Sequence, residues 1–577
     1  MQHNNAIKTV LFVLTMALLF VFLAQKQNGF VRVKPLEGVL PSEPEPKFAW
    51  ETFRSSEYQE HLERYLHEHY GFREPLIRFY NELLFDCFRK THTKEVVIGK
   101  DNWLYFEQHV NEYYGTEMYR WFHTKEEACA DFDREARLMW KLRGVLQDYG
   151  IEFLMFMAPD KGFLFPEYLP DREKDTTTVN AREYYCKKFD EYGFPYIEMT
   201  KWFLELKELD TLPYSLMPQA GAHWCFSAVL AADSLFRFMG SLDGQRLPEL
   251  KVGTLRESRE EILKGDRDLE EILNLMRVLP HKYDKLLDAE VTICRDSATI
   301  WPSVLFVGNS FLWRMHDFIP FEEMFYSSEY WFYNSTAHFG TDYKQKASVG
   351  TLDILQRILD NDYVVWFTDG NQMYKTSYGF AEQAMMTLCV SDDRVDERRL
   401  QLMDSLRLDP KAMKETEVMD DKERHSHLWT MANQLLLKNP ERYFSEIAGD
   451  GIPTARNPRI PEALAIRDIK RDSAWMRNLS TCQTVIHNAT LEQVLKMEAQ
   501  NVLNNRSLLR DIPDPEAKRD RVESLVRDMM EEIKPQTELM ERIRVMAEEN
   551  GVSVEEQTEL AARWIVNDQI QNGIITL

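Results

Sequence analysis

Three short apolar runs, each ended by turn residues and separated by amphipathic stretches, limit what this chain of 577 residues can become. They are Ile151–Met157 (IEFLMFM), Ser303–Val307 (SVLFV) and Tyr363–Phe367 (YVVWF). Runs this short, rich in β-branched and aromatic residues, read as strands buried on both faces. Between and around them, residues 126–149, 180–192 and 225–240 carry helical patterning, and Pro195–Met199 reads as a further strand. Strands alternating with helices predict an α/β fold with a mostly parallel sheet and helices on both faces. Upstream, residues 51–93 are helical by pattern. Glu95–Phe106 then reads as strand, turn, strand, with Lys100, Asp101 and Asn102 supplying the turn. Beyond about residue 395 the strand pattern stops, and the chain is polar, acidic in stretches and helix-forming.

The two ends differ from this body. From Thr9 to Ala24 every residue except Thr9 and Thr15 is apolar. Adding Ala6 and Ile7, with Lys8 snorkelling, brings the segment close to the ~20 residues of a bilayer span. Residues 1–27 are therefore a membrane anchor or a signal. Phe22 is too bulky for the −3 position of a cleavage after Ala24, which favours an uncleaved anchor through residues 6–24. Lys8 and Lys26 flank the run on opposite sides, so charge leaves its orientation open. Residues 28–50 are proline-rich and aperiodic, a linker. The next zone, 51–394, is the α/β body, and 395–577 is an all-helical module. Two imperfect repeats lie in that module. Ile469–Met476 is similar to Ile533–Met540, and Ala489–Gln493 to Val552–Glu556, with Thr490 and Ser553 placed to cap a second helix in each copy.

Charge and cysteine usage narrow the function classes. Lysine and arginine number 70 against 94 acids, a net charge of −24, which excludes a basic nucleic-acid-binding face. Seven cysteines include no C-x-x-C pair, so zinc and thioredoxin-like motifs fail. Most are expected to be buried thiols, with one or two disulfides left open. No phosphate loop, metal-ligand cluster or dinucleotide fingerprint is present, so no cofactor and no metal are expected.

The chemistry gathers at two places. Val304–Val307 runs into Gly308-Asn309-Ser310 and then a helical stretch, which puts a serine at the carboxyl end of a sheet strand, the edge where parallel sheets bind ligands. Backbone N–H groups there can hold an oxyanion. Ser310 is either a nucleophile or a plain helix cap. A serine nucleophile needs a base, and His223, just before the 225–240 helix, is a candidate that only the fold could bring near.

These stretches resemble the SGNH hydrolase-like proteins of the alginate O-acetylation family, the AlgJ/AlgX type. The similarity is carried by Gly221-Ala222-His223-Trp224 and Gly308-Asn309-Ser310-Phe311. It extends to Tyr70–Glu74, Val97–Tyr105, and Ala158–Lys161 followed by Phe165–Pro170. It spans roughly residues 55–385 and implies an SGNH-like sheet, with 51–394 an acyltransferase domain. It also implies an esterase-like Ser–His–Asp triad that passes acetyl groups to exopolysaccharide. Ser310 then takes the serine role and His223 the base role. The family's aspartate falls on Gly221, a departure that puts the orienting acid in doubt. Asp369, after the Tyr363–Phe367 strand, is a possible substitute or simply a turn residue. Asn309, and Asn334 or His338, are candidates for the oxyanion or substrate site. Trp224 and Trp313 either stack on sugars or pack the core. The resemblance also implies a polysaccharide substrate and a membrane-bound acyltransferase as acyl donor. It places the protein on the periplasmic face of the inner membrane, or in the periplasm if the signal is cleaved. The leading reading is an O-acetyltransferase of a surface or secreted polysaccharide. The alternatives are a catalytically weakened binding or assembly subunit, favoured by Gly221, and an envelope carbohydrate esterase.

Overall fold

A seven-stranded sheet lies at the centre of the computed structural model, which describes residues 2–38, 44–340, 342–375, 377–416, 419–477, 479, 490–504, 515–550 and 552–571. The chain first forms a hairpin of β1 (Val96–Ile98) and β2 (Leu104–Phe106), turned by Lys100–Asn102 with Asp101 and Asn102 in the left-handed region. β3 (Glu152–Ala158) and β4 (Tyr196–Glu198) follow. Four short strands, β5 (Glu249–Val252), β6 (Arg256–Glu257), β7 (Leu287–Asp288) and β8 (Val291–Cys294), pair into two small ribbons. The last five strands are β9 (Ser303–Gly308), β10 (Ser327–Phe332), β11 (Thr336–Phe339), β12 (Gln345–Ser348) and β13 (Tyr363–Asp369). The sheet order is β12-β11-β10-β9-β13-β3-β4. The five strands from β10 to β4 are parallel, and β11 and β12 add an antiparallel edge.

Burial explains why the central runs read as unbroken hydrocarbon. Every residue of β9 and β13 is buried, because successive side chains enter opposite cores. Phe153, Met155, Leu305, Val307, Val364 and Trp366 face a core shared with the helices Lys125–Gln147, Ala181–Tyr192 and Phe380–Cys389. Leu154, Phe156, Val304, Phe306, Val365 and Phe367 face the other core, closed by the helix Ala228–Asp243. The helix Lys125–Gln147 is capped by Thr124, whose side chain accepts from the Glu127 N–H, and Ala181–Tyr192 by Asn180 in the same way. The hairpin and the four predicted strands fall where the apolar pattern puts them. The pattern did not reveal β10 to β12 as a set, because their outer residues are polar or half-exposed and only Tyr330, Trp331, Ala337 and His338 are buried.

Gly308 ends β9 opposite Phe367 of β13. A Cβ at this position would run into the Phe367 carbonyl. Glycine therefore permits the close approach that carries the chain straight from β9 into Asn309 and Ser310.

No strand lies beyond β13 among the described residues. The helix Asp392–Arg407 runs through the boundary expected at 394/395. Leu436, Phe444, Ile447 and Ile460 join the core on one face of the sheet. The buried Lys141 ammonium donates to Glu441 (2.5 Å) and to the Ile447 carbonyl (3.2 Å). The first part of the helical region is thus built onto the α/β body. The repeats form two further apolar clusters, one around Ile469, Trp475 and Leu495, the other around Val526, Ile533 and Val566. Thr490 and Ser553 each cap a helix, with Gln493 and Glu556 reaching back to the cap N–H. Ala489 of the first copy lies outside the described residues. Cys87, Cys129, Cys186, Cys225, Cys294 and Cys389 are free thiols, and Cys482 lies outside the described residues. The N-terminal helix, Gln2–Asn28, contains the apolar stretch Lys8–Asn28, whose most apolar 18 residues have a mean hydropathy of 2.0, with 6% of them buried. By length and composition it is sufficient to cross a membrane.

Candidate active site

β9 delivers Ser310 to the carboxyl edge of the sheet, where it opens the helix Phe311–His316. His223 arrives from the loop before the helix Ala228–Asp243. Its Nε2 lies 2.7 Å from Ser310 Oγ. On its other side, Nδ1 lies 2.5 Å from Asp268 Oδ2, and the second oxygen of that carboxylate accepts the Ala222 N–H at 2.8 Å. Serine, imidazole and carboxylate thus form one hydrogen-bonded chain. Burial pushes the Asp268 carboxyl up, but His223 and the Ala222 N–H outweigh it and hold its pKa below the ordinary value.

The acid that meets His223 is therefore Asp268, not Asp369. Asp369 closes β13 on the same edge but faces another way. It accepts from Asn309 Nδ2 at 2.7 Å and from Asn371 Nδ2, and lies 3.3 Å from His109 Nε2. The Asn309 carboxamide is 2% exposed and committed, since its oxygen also accepts the Phe311 N–H. Asn334 points away from Ser310, donating to Tyr378 O and Gln383 Oε1. His338 is buried against Tyr343 O. Trp224 is fully buried and donates to Phe311 O, so it pins the serine helix and offers no face to a sugar. Trp313 packs edge-on against Tyr330, His338 and Tyr343. Both indoles serve packing, Trp224 from the loop before the helix Ala228–Asp243 and Trp313 from the helix Phe311–His316, against the same apolar core.

A buried ion pair and a buried ammonium hold the three elements in place. Arg314, on the serine helix, bonds Asp266 at 2.6 Å, two residues from Asp268. Lys161 is fully buried and donates to the carbonyls of Leu104, Gln219 and Gly221, at 2.7, 3.1 and 2.6 Å, which fixes the loop leading to His223. Burial lowers its pKa to about 7. At Gly221 a Cβ would sit 2.5 Å from Asp266 O and 2.8 Å from Pro218 Cγ. A side chain cannot fit where the resemblance put the orienting acid, and Asp268 enters instead from the start of the short helix Asp268–Leu273.

His281 braces the short helix Asp268–Leu273, with Nε2 3.0 Å from Glu270 and Nδ1 3.3 Å from Asp284. Burial opposes its charge, but the two carboxylates prevail and raise its pKa to about 9. A pKa raised above the unfolded value of about 6.5 stabilises the fold fully below that value, and the contribution is lost as pH rises through about 9. Urea unfolding of His281→Gln should show a deficit on the order of 2 kcal/mol near pH 6 that closes by about pH 10. A deficit independent of pH would contradict the ion pairing.

The site opens into a cavity of about 310 Å³, lined by His223, Ser310, His109, Tyr333, Arg120 and Lys375 among others. Tyr333 lines the cavity together with Ser310. Tyr333 occupies the left-handed region at the β10–β11 turn, φ 50°, and no local sequence signal marked it. Burial lowers the His109 pKa, but Asp160 and Asp369 overcome it and raise it overall. Burial and repulsion from Arg120 lower that of Lys375. Arg120 and Lys375 give one wall of the cavity a cationic character, beside Glu95, Glu107 and Asp369 in the same lining.

Residues 96–316 match the family model described as SGNH hydrolase-like domain, acetyltransferase AlgX. Ser310, His223 and Asp268 lie inside that stretch, and Asp369 lies outside it. No curated protein matches the chain by sequence. Among solved structures, the O-acetyltransferase domain of Pseudomonas putida AlgJ overlaps 48% of this chain and 92% of its own at 13% identity and a TM-score of 0.30. Pseudomonas aeruginosa AlgX overlaps 51% of this chain and 66% of its own, at 17% identity and a TM-score of 0.32.

Proposed function

From the SGNH hydrolase-like domain of the AlgX acetyltransferase type that residues 96–316 carry, we propose that this protein is an O-acyltransferase acting on a polysaccharide through an acyl-serine at Ser310. The observation that carries the reading is the chain Ser310 Oγ–His223 Nε2, His223 Nδ1–Asp268 at 2.7 and 2.5 Å. His223 takes the Ser310 proton as Oγ attacks the acyl carbonyl, and returns it to the leaving group as the donor departs. The Ser310 N–H and the Tyr333 hydroxyl stabilise the tetrahedral oxyanion. An acceptor sugar hydroxyl then gives its proton to His223 and attacks the acyl-serine, and the imidazole returns a proton to Oγ. Asp268 keeps Nδ1 protonated and steadies the imidazolium. Asp268 beside His223 supports a working site over the weakened relative that Gly221 suggests.

The cationic wall suits an acceptor bearing carboxylates, as a polyuronate does. The acyl group comes from a membrane-bound acyltransferase, and the body stands outside the cytoplasm on the inner membrane. Kinetics with a neutral acetyl ester and uronate oligosaccharides test this. Arg120→Gln and Lys375→Gln should each raise KM for the oligosaccharide roughly ten-fold, the worth of one charged hydrogen bond, and leave ester hydrolysis unchanged. Equal losses with and without acceptor would contradict the assignment of that wall to the acceptor. Hydrolysis with no transfer to any oligosaccharide would make the protein an esterase.

A further inference from the structure

The helix Arg73–Phe88 is amphipathic in the reverse of the usual sense. Its polar face points inward. Arg78 donates to Leu275 O and Pro35 O, Asn81 to Leu273 O, and Glu82 accepts the Met276 N–H. Of its residues, Phe85 alone is buried. Its outward face carries Leu76, Phe79, Tyr80 and Leu83, each 41–55% exposed, followed by Cys87 and by Phe88 at 64%. The spacing 76, 79/80, 83, 87 is one continuous helical stripe. A stripe of large apolar side chains held in water by a polar underside marks a surface that something covers.

What covers it is indicated by the neighbour. The apolar helix Lys8–Asn28 has 21 residues, about 31 Å at 1.5 Å per residue and close to the bilayer hydrocarbon thickness. Its last turns pack on the segment just before the stripe. Phe22 meets Tyr70 and Phe72 edge-on, and the Lys26 ammonium lies 4.2 Å over the Tyr65 ring. The stripe therefore begins where this helix would leave the lipid. Aromatic side chains favour that depth.

We infer that the helix Arg73–Phe88 lies in the bilayer interface with Leu76, Phe79, Tyr80 and Leu83 seated among the lipid headgroups and upper acyl chains, so that the α/β body is held flat against the membrane and does not hang from a free tether. Apolar burial drives this contact, because a chain of net charge −24 gains nothing from anionic lipid.

Photolabelling of the full-length wild-type protein in phosphatidylcholine vesicles tests it. The vesicles carry a lipid with a diazirine near the headgroup end of one acyl chain, and labelled peptides are mapped by mass spectrometry. Label is expected on residues 8–28 and also on 76–88, and not at Trp564, which is 69% exposed but lies in the C-terminal helices. The triple variant Leu76→Ser, Phe79→Ser, Leu83→Ser, altered only at exposed positions, should lose the second labelled region several-fold and keep the first. Label confined to residues 8–28 would overturn the inference and leave the anchor standing. Cross-links between two copies through the stripe, with no lipid label there, would overturn it in favour of self-association.

Discussion

Asp268→Asn is expected to lower the acyl-transfer rate by about 10⁴, some 5.4 kcal/mol of transition-state stabilisation. Asparagine keeps the shape of the side chain but loses its charge. It also presents an amide to His223 Nδ1, now 2.5 Å from a carboxylate oxygen. The imidazole then loses the tautomer that leaves Nε2 free to accept from Ser310. The fold should survive, since the Ala222 N–H keeps an acceptor and the buried pair between Arg314 and Asp266 is untouched. The contrasting variant is Asp369→Asn. That carboxylate serves His109, Asn309 and Asn371, so its loss should cost at least about ten-fold less than that of Asp268. The measurement is kcat with a soluble acetyl ester donor, beside thermal unfolding of each variant. Equal losses for the two aspartates, or a larger loss for Asp369, would contradict the assignment of the acid.

Ser310→Ala carries the second large effect. Without the hydroxyl no acyl-enzyme forms, and transfer should fall by at least about 10⁴, to a rate that further removal of His223 does not lower. Binding of the acceptor should persist, because the cationic wall formed by Arg120 and Lys375 does not depend on the serine. A Ser310→Ala protein that neither transfers acyl groups nor binds oligosaccharide would instead indicate that the cavity itself had collapsed.

The serine and the histidine were legible because each sits at a boundary that sequence marks. Ser310 follows an apolar strand through a glycine that the packing of β9 against β13 demands. His223 precedes a recognisable amphipathic helix. The acid was not legible. Asp268 is one of 94 acidic residues and opens a helix of six residues outside the strand–helix alternation. Only the tertiary fold brings it under His223. Asp369 was attractive because it ends a sheet strand on the correct edge. Position on an edge, however, does not fix where a side chain points, and His109 and two asparagines claim it. Tyr333, Arg120 and Lys375 reach the cavity from turns and short helical segments whose paths follow from packing. Trp224 reads either way in sequence for a related reason. An indole beside a catalytic histidine looks the same in sequence whether it faces a ligand or, as here, sits fully buried with its N–H on Phe311 O.

The central claim is that Ser310 carries the acyl group. The direct measurement is peptide mass spectrometry on protein mixed with an acetyl ester and quenched in acid before the acceptor is added. The account predicts a single added acetyl group on the peptide containing Ser310, lost when acceptor is supplied, and absent in Ser310→Ala and His223→Ala. Turnover without any acetylated peptide, or an acetyl group that remains in Ser310→Ala, would contradict it.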